Sequence, residues 1–212
     1  MTVSTGLVTR LKDTLDNPFL FNILQFAIAG RQNITRRLIR DGLQLEPGER
    51  LLDVCCGTGE FANVALGPYL GIDINPKYIE YAAGKYGAGG GHPEREFVAE
   101  DITGTGFKNR GLTFPKAMLI NSMHHLSDEQ NQALLAAIAS VTTDRFVVID
   151  MDPTPSNPVS RFLAGQDRGE YIRPLKEQIA LVEPYFKVEQ AYTYYSGLCG
   201  QTILVCSKKD NR

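Results

Sequence analysis

The stretch 51-LLDVCCGTGEFA-62 decides the fold. An apolar run carries one acid, Asp53, and breaks at Gly57 and Gly59, with Ala62 completing a G-x-G-x-x-[GA] spacing. Glycines at such a turn let the backbone approach a ligand with no Cβ atoms in the way, and a helix opening behind it offers unpaired N–H groups. The residues beyond Gly59 are therefore expected to begin a helix. Folds that bind several kinds of nucleotide share this spacing, so the surrounding residues must decide which ligand is meant.

Outward from that stretch, apolar runs bounded by Gly, Pro or Asp alternate with helix-like segments to the C-terminus. That alternation is the pattern of a mostly parallel sheet covered on both faces. Strands are expected near 50–55, 68–73, 95–99, 116–121, 145–151, 185–194 and 201–207. The clearest helix is 127-SDEQNQALLAAIAS-140, where Ser127 or Asp128 can cap and Leu134, Leu135 and Ile138 form an apolar stripe. Another opens at 173-RPLKEQIALVE-183, with Pro174 suited to a first turn. The last two strands are linked only by YSGLCG, whereas a parallel crossover needs roughly a dozen residues, so they are expected to pair antiparallel. Before residue 48 the segment 17-NPFLFNILQFAIAGRQNITRRLIRDGL-43 reads as one or two amphipathic helices, taken as an N-terminal helical cap.

The chain has 212 residues, enough for one α/β domain with a buried core. Its 22 basic and 24 acidic residues leave a net charge of −2, too little to gather nucleic acid by a global field, so nucleic acid is not an expected partner. The four cysteines, Cys55, Cys56, Cys199 and Cys206, are spaced neither as a disulfide framework nor as a metal site, and no metal is expected. A reducing cytoplasmic setting fits this usage. No signal-peptide core and no run of the ~20 apolar residues needed to span a bilayer is present.

Three acids narrow the ligand. Asp53 ahead of the glycine turn would repel a pyrophosphate and suits a cation. Asp73, ending the second expected strand in 71-GIDINP-76, is placed for two ribose hydroxyls, and Asp101 in 97-FVAEDIT-103 for the amino edge of an adenine. Together they describe a positively charged adenosine.

This combination resembles the class I S-adenosylmethionine-dependent methyltransferases over about residues 45–207. The matching motifs are 51-LLDVCCGTGEFA-62, 71-GIDIN-75, 98-VAEDIT-103 and 117-AMLINSMHHLSDEQ-130. The resemblance implies a Rossmann-like, doubly wound, seven-stranded sheet, mostly parallel with the last strand antiparallel. It divides the chain into a helical cap over 1–47 and a methyltransferase domain over 48–212, one structural domain overall.

By the same resemblance S-adenosyl-L-methionine is the cofactor, S-adenosyl-L-homocysteine its product, and Asp53, Gly57, Gly59, Asp73, Ile74, Asp101, Ile102, Asn121 and Ser122 hold it. Cys55 stands where the family's first loop glycine lies, and its small size is expected to preserve the close packing. His124 and His125 are the candidate catalytic residues, one serving as a general base or both serving only to pack. Asp152, Tyr171 and Arg173 are candidate acceptor contacts. The acceptor is expected to be a small organic or lipid-like molecule, because no base-amino motif, no Pro-Cys nucleophile and no basic extension appears. Phe19, Phe21, Leu24, Phe26 and Ile28 in the cap would make its pocket apolar. An RNA or protein methyltransferase, for which Arg36, Arg37 and Arg40 are the local hint, and a nucleotide-binding protein without catalysis are the alternatives.

Overall fold

The computed structural model describes residues 33–155, 157–158 and 169–209. Most of the expected cap, with Phe19 to Ile28, therefore lies outside the described residues, as does the stretch before Gly169.

Seven strands form one sheet: β1 Leu51–Val54, β2 Tyr69–Asp73, β3 Arg95–Ala99, β4 Phe114–Ile120, β5 Thr142–Met151, β6 Phe186–Ser196 and β7 Cys199–Lys208, in the spatial order β3-β2-β1-β4-β5-β7-β6. Neighbours from β3 through β5 pair parallel, while β7 runs antiparallel between β5 and β6. The hairpin expected from the short YSGLCG link is therefore present. Strand order reverses between β1 and β4, so connections diverge there and leave a crevice at the strand ends.

Helices cover both faces: α1 Asn33–Leu43, α2 Pro76–Tyr86, the short α3 Thr105–Lys108, α4 Asp128–Val141 and α5 Leu175–Val182. Successive strand residues point to opposite faces, so the continuous apolar runs feed two cores. Leu52, Val54, Leu70, Ile72, Phe146 and Phe186 pack beside Leu134, Leu135 and Ile138 of α4. Leu51, Tyr69, Met118, Val147 and Ile203 pack beside Ile39 and Leu43 of α1 on the other face. Of the two cap candidates Ser127 caps α4, and it does so in a reciprocal pair with Gln130; Pro174 sits at the N-cap of α5, just before the first turn expected for it. No helix among the described residues is long and apolar enough to cross a membrane.

One expectation fails beside the glycine turn. No α-helix follows Gly59; the chain makes only a 3-10 turn, Ala62–Val64. Leu66-Gly67-Pro68 must already feed β2 at Tyr69, which leaves too little chain for an α-helix. Phe61, Ala62 and Val64 are all buried within it. Helix α1 braces this turn from outside: Arg40 donates to the carbonyls of Val64 and Asn63, and Arg36 donates to the Glu60 carbonyl and pairs with its carboxylate. Of the basic cluster, Arg37 pairs with Asp41 on the surface.

Candidate functional site

The crevice at the reversal of strand order is shaped by backbone conformation. Cys55, directly after β1, has φ +56°, and Asn121, directly after the adjacent β4, has φ +53°. A side chain in the left-handed region costs about 1–2 kcal/mol, so two such residues on neighbouring strands mark a surface the fold holds open against local preference. Gly57 and Gly59 continue the turn with φ +52° and +75°. At Gly59 the need is also steric, because a Cβ there would lie 2.9 Å from the Phe97 ring. The position of Cys55 is thus governed by backbone angle, whereas the sequence suggested packing size alone.

Three of the predicted acids come together here. Asp53, Asp73 and Asp101 all lie close enough to Cys55 for their charges to act on its thiol, and Ser122 is beside it. Burial first, then the charges of Asp73 and Asp53, push that thiol up to about 12. Burial likewise raises Cys56, so neither sulfur is a thiolate near neutrality. The described residues contain no cluster of His, Cys, Asp and Glu suited to a metal ion.

Each acid has its own anchor. Asp73 accepts from the Gly57 amide at 2.9 Å and the Asn75 amide at 2.8 Å, tying the glycine turn to the end of β2. Capping of α2 falls to Asn75, which accepts from the Lys77 amide. Asp53 is 2% exposed and accepts from the Tyr69 hydroxyl at 2.6 Å. Burial pushes it up to about 7, against the pull of that hydrogen bond. Asp101 is exposed just beyond β3 and makes an ordinary turn, one oxygen accepting from the Thr103 amide and hydroxyl. Among the described residues, no Lys, Arg or His pairs with any of the three.

Ile74, next to Asp73, is 77% exposed, an uncovered apolar side chain at the tip of β2. Ile102 has its side chain buried in the core, which leaves its backbone to face a ligand. Asn121 accepts from Gln201, whose own carbonyl accepts from Tyr194. The left-handed residue ending β4 is thereby fixed from β6 and β7.

On the other side of the crevice lies a 3-10 turn, Met123–His125. The buried Asp150, at the end of β5, accepts from the His124 amide at 3.0 Å, contacts the His124 Nδ1, and accepts from the Met151 amide at 2.7 Å. His125 is exposed, its ring 4.0 Å from that of His124. Asn131 donates to the carbonyls of Met123, Leu126 and Ser127.

Arg173, expected to contact the acceptor, is instead spent within the protein. Its five N–H groups go to the carbonyls of Met123, Tyr171 and Leu126 and, twice, to Asp128. No donor is left over for a ligand, so this expectation is corrected. Tyr171 remains 40% exposed above the Arg173 guanidinium, and its amide donates to the His124 carbonyl. Asp152 accepts from the Thr154 amide in the turn leaving β5.

Sequence reasoning passed over Asp150, Asn131 and Gln201 as site residues. An acid closing the apolar run 146-FVVID-150 and an asparagine inside a helix, where it is a poor former, were the available signals. Gln201 carried none.

Residues 51–145 match the family described as methyltransferase domain. Over 135 residues the chain is 33% identical to O-methyltransferase cnsE of Penicillium expansum, a match covering 58% of this chain and 48% of that protein. The chain thus spans about half the length of the curated relative it matches. Magnesium protoporphyrin IX methyltransferase (ChlM) from Synechocystis PCC 6803, solved with bound SAH, superposes with a TM-score of 0.66 at 18% identity, over 97% of this chain and 95% of that one. The pyocyanin biosynthetic protein PhzM superposes with a TM-score of 0.73 at 17% identity, over 95% of this chain and 61% of that one. At such identities the two structural likenesses establish the fold alone.

Proposed function

We propose that this chain, as its matched methyltransferase domain and its sheet topology support, is a class I S-adenosylmethionine-dependent methyltransferase that transfers a methyl group from S-adenosyl-L-methionine to a small organic acceptor. The observation that carries the reading is the convergence of Asp53, Asp73 and Asp101 around the glycine turn with no cation among the described residues to neutralise them. Such a site repels pyrophosphate and favours a ligand that brings its own positive charge.

In this reading the turn at Gly57 and Gly59 takes the methionine portion, with Asp53 for its ammonium group. Asp73 takes the ribose hydroxyls with the oxygen lone pairs left beyond its two amide bonds. Ile74 covers one face of the adenine, Asp101 and the Ile102 amide face its edge, and Asn121 and Ser122 lie toward the sulfur. When bound, the cofactor supplies a methyl carbon already activated by the sulfonium. The protein then has to align donor and acceptor and exclude water.

The turn bearing His124 and His125, together with Asp152 and Tyr171, lines the acceptor side. A small acceptor is supported by the relatives named for O-methylation, a porphyrin and pyocyanin biosynthesis. Arg36 and Arg40, which would speak for RNA, are engaged with the 3-10 turn. Calorimetric titration tests the cofactor: S-adenosylhomocysteine is expected to bind and NAD not to, and the reverse would end this reading. Incubating metabolite extracts with methyl-labelled cofactor would then identify the acceptor.

A further inference from the structure

The register of β1 against β2 sets Asp53 opposite Gly71, and that of β2 against β3 sets Gly71 opposite Phe97. Side chains two residues apart on a strand share a face, so Tyr69 stands on the face that Gly71 leaves empty. The tyrosine ring fills that space: a Cβ on Gly71 would lie 3.0 Å from Tyr69 Cε1 and 2.9 Å from the Phe97 ring. Phe97 tilts against the tyrosine, with 5.3 Å between ring centroids. Laid along β2 in this way, the ring delivers its hydroxyl to Asp53 Oδ2 at 2.6 Å. Acid and tyrosine are each 2% exposed. Among the described residues no other donor reaches Asp53, and its second oxygen, Oδ1, is not sealed in the core.

A phenol suits this place in a way that lysine or arginine would not. It favours the ionised carboxylate by a hydrogen bond, yet brings no charge to cancel the acid or repel a cationic ligand. Burial opposes ionisation of Asp53, the Tyr69 hydroxyl counters it, and the charge of Asp73 adds to the opposition. Burial and the neighbouring Asp53 in turn hold the Tyr69 hydroxyl well above its ordinary range, so it stays a donor, while Arg95 of β3 acts in the other sense. Elsewhere around the pair, Met118 opposite Asp53 on β4 carries no charge, Cys55 and Cys56 keep their protons, and Arg36 of α1 pairs with Glu60.

We propose that Tyr69 is a positioning residue for the cofactor: its hydroxyl holds one oxygen of Asp53 and presents the other to the ammonium group of S-adenosylmethionine. The inference rests on the methyltransferase reading and deepens it at the amino-acid end of the ligand. A ligand with the same adenosine and no ammonium group gains nothing from Tyr69.

The test is calorimetric titration of the full chain with two ligands, S-adenosylhomocysteine and 5′-methylthioadenosine, which keeps the adenosine and lacks the ammonium group. Tyr69→Phe retains the ring over Gly71 and removes only the donor. Without that donor the acid should ionise about one pH unit later. S-adenosylhomocysteine should then bind the variant about tenfold more weakly than the native protein at pH 6, about fivefold at pH 7 and within about twofold at pH 8.5. Methylthioadenosine should bind both proteins alike across that range. Added to Asp53→Asn, the same change should leave S-adenosylhomocysteine affinity within about twofold, and this comparison decides the matter if Tyr69→Phe alone does not fold. A loss that is constant from pH 6 to 8.5, equal for the two ligands, or undiminished beside Asp53→Asn would make Tyr69 a packing residue and overturn the proposal. So would no loss at all. Failure of the native protein to bind S-adenosylhomocysteine would strike the methyltransferase reading instead.

Discussion

At the ends of β1, β2 and β3, three carboxylates gather around the glycine turn, and among the described residues no Lys, Arg or His pairs with them. At the ends of β4 and β5, the buried charges are matched: Arg173 finds a carbonyl or carboxylate for every N–H, and Asp150 serves two amides and an imidazole. The first region stores unfavourable energy that an incoming cation would release. The second is rigid before anything arrives. A site that must discharge one ligand after every turnover, yet hold a reacting geometry to within about 0.5 Å, has reason to be built in these two ways.

The sharpest way to break the contrast is to unmatch the second region. Arg173→Met should destabilise the protein by about 3 kcal/mol, since several buried carbonyls lose their donors. The melting temperature should fall by roughly 10 °C, and a fall under 2 °C would show that the network is ornamental.

Next comes the acid at the end of β2. Asp73→Ala should weaken S-adenosylhomocysteine binding about 100-fold, near 2.7 kcal/mol, while freeing two amides should cost only ~1 kcal/mol of stability. Unchanged affinity by calorimetry would remove Asp73 from the ribose.

Asp53 tests whether the first region is held at a loss. Its carboxyl is raised to about 7 by burial, so the folded protein binds this proton more tightly than the unfolded chain, and stability from this group declines as pH rises from about 4 through 7. Asp53→Asn should therefore stabilise the unliganded protein at pH 8, by roughly 2 kcal/mol, and leave it little changed at pH 4. In the native protein a bound ammonium needs the ionised acid, so S-adenosylhomocysteine affinity should drop as pH falls below 7, by up to tenfold per pH unit. Affinity that stays flat from pH 5 to 8 would refute the pairing. The smallest effect belongs to Cys55→Gly, which should relieve the left-handed strain and stabilise by roughly 0.5 kcal/mol. A loss of stability would mean the thiol packs better than its backbone suffers.

Much of the scaffold was legible because it depends on local pattern. The Ser127 cap, the apolar strands and the short YSGLCG link each act over a few residues, and each stands close to where the sequence placed it. The missing helix after Gly59 was not legible. Its absence follows from how soon Leu66-Gly67-Pro68 must deliver the chain to β2, and α1 supplies, through Arg36 and Arg40, contacts from outside that stretch. Arg173 was misread for a similar reason, because a side chain with a matched partner for each N–H looks, in sequence, the same as one waiting for a ligand.

By itself the sequence determined the strand order's raw material, the glycine turn and the three acids, since spacing and side-chain charge are properties of the chain. Only the tertiary structure decided that those acids share one site in which no described Lys, Arg or His pairs with them, that Cys55 answers to a backbone angle, and that Asp150 grips His124 across the strand ends. Those facts depend on residues far apart in sequence, and burial sets both the cost of an unpaired charge and the worth of a paired one.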